Sequence, residues 1–191
     1  TFDERWFSWA KELAELMLEH FSDEENGGFF DTSADHEQLI HRPKDLQDNA
    51  VPSGNAMAAQ VLLKLSLYMG NGRYWDIAEQ AIRLLHEPMA KYPTGFAQWL
   101  SAAAFILGEP RELAIVGDHG FEDTEALIQV AFRDYQPNLI VAVGQRGDII
   151  PLLNERKMEN DKATAYVCRR FVCQRPTTSP HALRQQLANP A

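Results

Sequence analysis

The residues best suited to chemistry lie where a polar loop runs into the most apolar helix of the sequence, in Asp48-Asn49-Ala50-Val51-Pro52-Ser53-Gly54-Asn55-Ala56. Asp48, Asn49, Ser53 and Asn55 place a carboxylate, two amides and a hydroxyl at the edge of a core, a set able to donate and accept hydrogen bonds. Ser53 is an N-cap by type, its hydroxyl able to accept from an amide of the first turn. Pro52 fixes φ and biases Val51 away from helix, so the turn into the helix is sharp. Asp31 and Glu37 are further carboxylates near the loop, and glycoside hydrolysis is the chemistry that needs two carboxylates across one bond. The competing reading is that Asp48 and Asn49 satisfy loop backbone groups in a well-capped turn. His36 and His41 bracket the same loop, where solvated histidines are the simpler reading.

Cys168 and Cys173 are the second constellation. They flank Arg169-Arg170, a basic neighbourhood that favours thiolate, and this makes the pair a redox candidate. Buried, unpaired cysteines in two adjacent strands are the alternative. No HExxH or paired metal spacing is present, so no metal and no cofactor are expected. Gly117-Asp118-His119-Gly120 follows a strand and precedes a helix, but it lacks GxGxxG spacing and its Asp118 would repel an anion. It reads as a tight βα turn.

The run DNAVPSGNAMAA from Asp48, with GGFFDT at Gly27 to Thr32, ATAYVC at Ala163 to Cys168 and Cys173-Gln174-Arg175-Pro176, resembles the C-terminal part of the YyaL-like family. These are thioredoxin-domain-containing proteins related to spermatogenesis-associated protein 20. The resemblance implies an N-terminal thioredoxin-like domain of the DUF255 type followed by an α/α toroid of the six-hairpin glycosidase kind, similar to N-acylglucosamine 2-epimerases. It implies that this chain is a C-terminal fragment of a protein of uncharacterised function, lacking that domain and the earlier hairpins. A sugar ligand is then one expectation, with Asp31, Asp48, Asn49, Ser53 and Asn55 at the cleft and Phe29, Phe30 or Trp99 as an apolar platform. The other expectation is a non-catalytic scaffold that docks the thioredoxin-like domain and its clients. Whether the chain is an enzyme stays open between them.

The 191 residues suffice for one or two domains with a sizeable core, and 45% hydrophobic with 24% charged residues is ordinary for a globular chain. A formal charge of -9 disfavours nucleic acid and anionic membrane surfaces as partners. No apolar run is long enough to span a bilayer, Thr1-Phe2-Asp3-Glu4 is not a secretory signal, and two cysteines are too few for a disulfide scaffold. A cytoplasmic location follows as the default.

The elements that must position these groups alternate in character. Phe2, Trp6, Trp9, Leu13, Leu16 or Met17, and His20 or Phe21 draw one apolar stripe down a first helix. Ser33 to Asp48 reads as a long polar loop or hairpin. Ala56 to Met69 and Phe96 to Leu107 are apolar nearly all round and should be buried on every side, whereas Tyr74 to Met89 is one-sided. That alternation is what an α/α toroid requires. Past Pro110, Glu112 to Gly117 and Asn138 to Gly144 are short β-branched runs around a helix at Thr124 to Tyr135, a parallel βαβ unit. A third strand is expected at Ala163 to Cys168 and a terminal helix at Pro180 to Ala188. The expected fold is mainly α, a partial toroid over 1–110 with a small α/β appendage over 111–191.

Overall fold

A computed structural model of the chain describes residues 2–37, 41–145 and 147–188. These fold into two compact units. One comprises the described residues of Thr1–Phe7, Leu67–Gly70 and Gly108–Ala191, and the other comprises those of Ser8–Ser66 and Asn71–Leu107.

The second unit is helical. It holds most of α1 (Glu4–Phe21) and α2 (Gly54–Met69), together with α3 (Gly72–Leu84), α4 (His86–Lys91) and α5 (Ala97–Leu107). Asn71 caps α3, its side chain accepting from the Arg73 amide. Tyr74, Ala78, Ala81 and Ile82 form the buried face of α3, and the Tyr74 hydroxyl donates to the Glu15 carboxylate on α1. The one-sided stripe expected there is therefore present. The stripe on α1 is also present but faces the other way. Trp6, Trp9, Leu13 and Leu16 are exposed, and Ala14 and Leu18 are the buried positions.

Neither apolar helix is buried on every side. Along α2, Gly54, Met57, Val61 and Lys64 make an exposed row at helical spacing, and along α5, Ala97, Leu100, Ala104 and Leu107 make another. Exposed stripes on both helices remove the reason for a toroid, and a second finding overturns the mainly-α description. A mixed four-stranded sheet organises a unit of its own, instead of trailing a helical body as a small appendage. The α/α toroid is thus corrected to a helical unit plus an α/β sheet unit. Composition misled here because Ala, Leu and Val tolerate exposure, so an apolar helix is not bound to be enclosed.

In the sheet unit, β1 (Arg111–Val116), α6 (Glu122–Arg133) and β2 (Leu139–Gly144) form the parallel βαβ element anticipated from the sequence. Leu113 pairs with Val141 and Ile115 with Val143. The third strand, β3 (Thr164–Arg169), lies antiparallel on the other side of β1 and turns through Arg170-Phe171 into the two-residue β4 (Val172–Cys173), giving the order β2-β1-β3-β4. Both turn residues have positive φ, 49° and 65°, the backbone twist that two-residue hairpins favour. Strand alternation sends Leu113, Ile115, Ala165 and Val167 to one face, where they pack with Leu127 of α6 and with Leu183 and Leu187 of α7 (Pro180–Ala188). The Tyr68 hydroxyl donates to the Val141 carbonyl at 3.1 Å.

The Ser33 to Asp48 loop has no strand among its described residues; residues 38–40 of that expected segment lie outside them.

Candidate functional site

The Asp48 loop closes on itself. Asp48 Oδ1 accepts from the Ser53 amide at 2.9 Å, and Oδ2 accepts from the Gln98 amide at 2.8 Å. One carboxylate thereby holds the N-termini of two helices, α2 and α5, where amides lack intrahelical partners and the helix dipoles favour a negative charge. The Asp48 amide donates to the Gly95 carbonyl at 2.8 Å. Ser53 Oγ accepts from the Ala56 amide at 3.2 Å, which makes it the cap of α2.

Asn55 is 2% exposed, and its side chain works across 26 residues of sequence. Oδ1 accepts from the Phe29 amide at 2.7 Å, and Nδ2 donates to the carbonyls of Phe29 at 2.8 Å and Asp45 at 3.0 Å. Asp31 accepts from the Asp45 amide with both carboxylate oxygens, at 3.2 and 3.0 Å. The Asn49 amide donates to the Val51 carbonyl at 2.9 Å while the residue itself is exposed. The structure thus brings Asp31, Asp48, Ser53 and Asn55 into one loop system, with their polar atoms bonded to backbone groups of that loop and of the starts of α2 and α5. His36, Glu37 and His41 are exposed beside it.

Lys44 completes the system by donating to Asp23 and, at 2.6 Å, to the Gly27 carbonyl. Its bond, helped by the Asn26 amide, lowers the Asp23 carboxyl to about 2. Between this ion pair and Trp99 lies a cavity of about 230 Å³, lined by Gly27, Gly28, Leu46, Ala81, Leu84 and Leu85 among others. Trp99 is fully buried and donates its indole N–H to the Leu46 carbonyl at 2.8 Å. The walls are mostly apolar, and the Lys44 ammonium is already engaged.

At the βα turn, Asp118 accepts from Gln145 at 2.9 Å, and Glu125 of α6 accepts from the Gly120 amide at 2.9 Å and pairs with His119. The carboxylate of Glu125 takes the position an anion would need.

The cysteines form a more concentrated group. Cys168 on β3 and Cys173 on β4 are register partners joined as a disulfide. Glu112 on β1 is the register partner of Cys168 on its other side, so Glu112, Cys168 and Cys173 make one cross-strand row. Strand alternation puts this row on the face opposite the α6 and α7 core. Glu112 is fully buried, Cys168 is 1% exposed, and Cys173 is exposed. Arg156 donates from Nη2 to Cys173 Sγ at 3.2 Å and to Cys168 Sγ at 3.5 Å. Its Nη1 donates to the Leu152 carbonyl and to that of Asn154 at 3.3 Å, which fixes the guanidinium plane. Burial lowers the Arg156 pKa and raises that of Glu112, although the Phe171 amide and the Arg156 charge both favour the Glu112 carboxylate. Glu112 Oε1 has no hydrogen-bond partner among the described residues.

Sequence reasoning named the cysteines but looked to Arg169 and Arg170 for the adjacent charge. Arg169 pairs instead with Glu109 at 3.1 Å, and Arg170 occupies the hairpin turn. Arg156 carried no local signal, since it lies 12 residues before Cys168 in a loop. Glu112 did carry one, being an acid that directly precedes the apolar run Leu113 to Val116 of its strand.

The fold and these two sites define a helical unit knit by a hydrogen-bonded loop, followed by an α/β sheet unit bearing a cross-strand disulfide beside a buried acid and a guanidinium. No family model matches the chain. The chain is 32% identical over 189 residues to spermatogenesis-associated protein 20 of Homo sapiens, and 31% and 30% identical to the proteins of that name from Rattus norvegicus and Mus musculus. Each match covers 95% of this chain and 24% of the relative, so the chain spans about a quarter of the length of these proteins. This similarity supports the spermatogenesis-associated protein 20 family for the chain, as a homologue of one segment. Among the described residues no helix is long and apolar enough to cross a membrane.

Proposed function

We propose that the chain is a segment of a longer polypeptide whose helical unit is a non-catalytic scaffold, docking the remainder of that polypeptide, including the thioredoxin-like domain that the resemblance implies. One observation carries this reading: three helices of one unit each expose large apolar side chains. These are Leu13 and Leu16 on α1, Met57 and Val61 on α2, and Leu100 and Leu107 on α5, with Leu107 82% exposed. Large apolar side chains left exposed at helical spacing on several helices of one unit mark places where something else packs. The relatives supply the covering mass, being about four times as long as the match. The sugar-binding alternative rested on Asp31, Asp48, Asn49, Ser53 and Asn55; the side chains of Asp31, Asp48, Ser53 and Asn55 are bonded to backbone groups, and no observation favours carrying it further.

The test places Val61→Glu and Leu100→Glu in the full-length protein and in this chain alone. If the rows are covered in the full-length protein, each substitution lowers its stability by about 2 kcal/mol or more, since it buries a charge where an apolar side chain was. In the isolated chain the same changes stay within about 0.5 kcal/mol, as surface substitutions do. Equal and negligible effects in both proteins would refute the scaffold reading.

A further inference from the structure

We propose that Cys168 and Cys173 form a thiol–disulfide exchange site for an external dithiol or disulfide, with Arg156 as a catalytic residue and Glu112 as the proton-holding acid. This inference is independent of the scaffold reading, because it rests wholly on the sheet unit. The observation behind it is the cross-strand row of a buried acid, a buried sulfur and an exposed sulfur, with one guanidinium bonded to both sulfurs. A disulfide that only tied a hairpin would need neither group. Here a carboxyl is fully buried beside the inner sulfur with one oxygen unpartnered, and a half-buried cation is oriented by two carbonyls onto the bond itself.

The asymmetry of exposure sets the order of events. A thiolate from the external dithiol attacks the exposed Cys173 Sγ, forming a mixed disulfide. The Cys168–Cys173 bond breaks, and its electron pair leaves on Cys168 Sγ, where Arg156 stabilises the thiolate until it takes a proton from Glu112. The second thiolate of the external molecule then attacks its own sulfur in the mixed disulfide and releases Cys173. The Cys173 thiolate takes a proton from water and Glu112 recovers from water the one it gave, matching the two that the external thiols released, so the external dithiol departs as a disulfide and this chain is left as a dithiol. Run backwards, the reduced pair reduces an external disulfide, with Cys173 as the attacking sulfur. Exchange through a mixed disulfide and stabilisation of the thiolate by an adjacent cation are the general requirements of this chemistry.

The experiment treats the folded chain with dithiothreitol at fixed pH and follows reduction by alkylation and mass spectrometry, with circular dichroism recorded in parallel. The expected result is reduction without loss of the folded signal, and alkylation of Cys173 ahead of Cys168. Cys168→Ser should trap glutathione at Cys173 when exposed to glutathione disulfide. Arg156→Gln should slow reduction about threefold to tenfold, the effect on rate of about one pKa unit in the leaving thiolate, while Arg156→Lys retains much of the rate. Glu112→Gln should slow reduction yet leave alkylation of Cys173 in the reduced chain unchanged, because Glu112 adjoins only Cys168. Reduction that proceeds only with unfolding would overturn the proposal and leave a structural disulfide. So would equal rates in the wild-type chain and Arg156→Gln. If Arg156→Gln does not fold, failure of Cys168→Ser to accept glutathione at Cys173 is itself sufficient to reject the site.

Discussion

Replacing Asp48 by Asn separates a structural loop from a ligand-binding one, because the two oxygens of the carboxylate have distinct and opposed duties. Oδ1 holds the Ser53 amide and Oδ2 holds the Gln98 amide, at 2.9 and 2.8 Å. Hydrogen bonds to a charged acceptor contribute about 1.5–3 kcal/mol each, and the interaction of the charge with a helix N-terminus adds about 0.3–1 kcal/mol. Asn keeps one acceptor and turns an NH2 group toward the second amide, so it forfeits one bond and the dipole interaction and leaves a donor facing a donor. The expected loss is about 2–4 kcal/mol; Asp48→Ala should lose more, and Ser53→Ala, which removes only the cap, about 1 kcal/mol. Urea unfolding followed by helical circular dichroism measures the loss, and hydrogen exchange at the Ser53 and Gln98 amides localises it. Faster exchange confined to those two amides and their helix starts is the expected pattern. An Asp48→Asn protein as stable as the wild type, with both amides still protected, would refute the reasoning and return the carboxylate to the pool of groups available to a ligand.

Asn55→Ala should cost about 2–4 kcal/mol, since it strands the Phe29 amide and two carbonyls inside the loop system, and thermal unfolding should register it. Gly28→Ala should also destabilise, because Gly28 sits at φ +74° and an added Cβ would meet Asn55 Oδ1 at 2.9 Å. The Asp23 carboxyl is lowered from its usual value to about 2, so the stability it contributes is present above the ordinary carboxylate range and lost as pH falls from about 4 to about 2; Asp23→Asn should flatten that limb of the pH–stability curve. Glu112 has the opposite sign: its raised pKa means that the protonated acid is the form burial tolerates, so this contribution is full below the unfolded value and is lost as pH rises through the folded one. Glu112→Gln should therefore match the wild type in acid and exceed it in stability above neutral pH, which melting curves at the two pH values would settle.

The elements that sequence marked well are those whose signal is local. The βαβ unit was legible because β-branched runs bounded by turns have few alternatives, whereas its register, Leu113 opposite Val141, was not, since parallel pairing alone does not fix it. Ser53 was legible as a cap because capping involves one residue and the next turn. The face of α1 was not, because Trp6, Trp9, Leu13 and Leu16 form a better apolar stripe than the buried Ala14 and Leu18, and periodicity reports only that a stripe exists. Asp48 to Gln98 and Asn55 to Phe29 span 50 and 26 residues, separations that no local pattern encodes. The same holds for Arg156, whose role depends on a loop folding back over a strand pair.

The short β4 has a further consequence for how the sheet meets other molecules. β3 would be an open rim along most of its length, since β4 pairs with only its last two residues. The chain beyond β4 continues alongside, however: the Gln174 amide donates to the Val167 carbonyl, and Ala165 and Thr177 exchange both of their backbone hydrogen bonds. Pro176 stands between those contacts and has no amide to offer. An irregular cover of this kind uses up the backbone groups of β3 without presenting a regular row of its own, so an extended peptide cannot add itself as the next strand on that side. A partner that approaches this rim must read side chains, and among those nearest to it is Cys173.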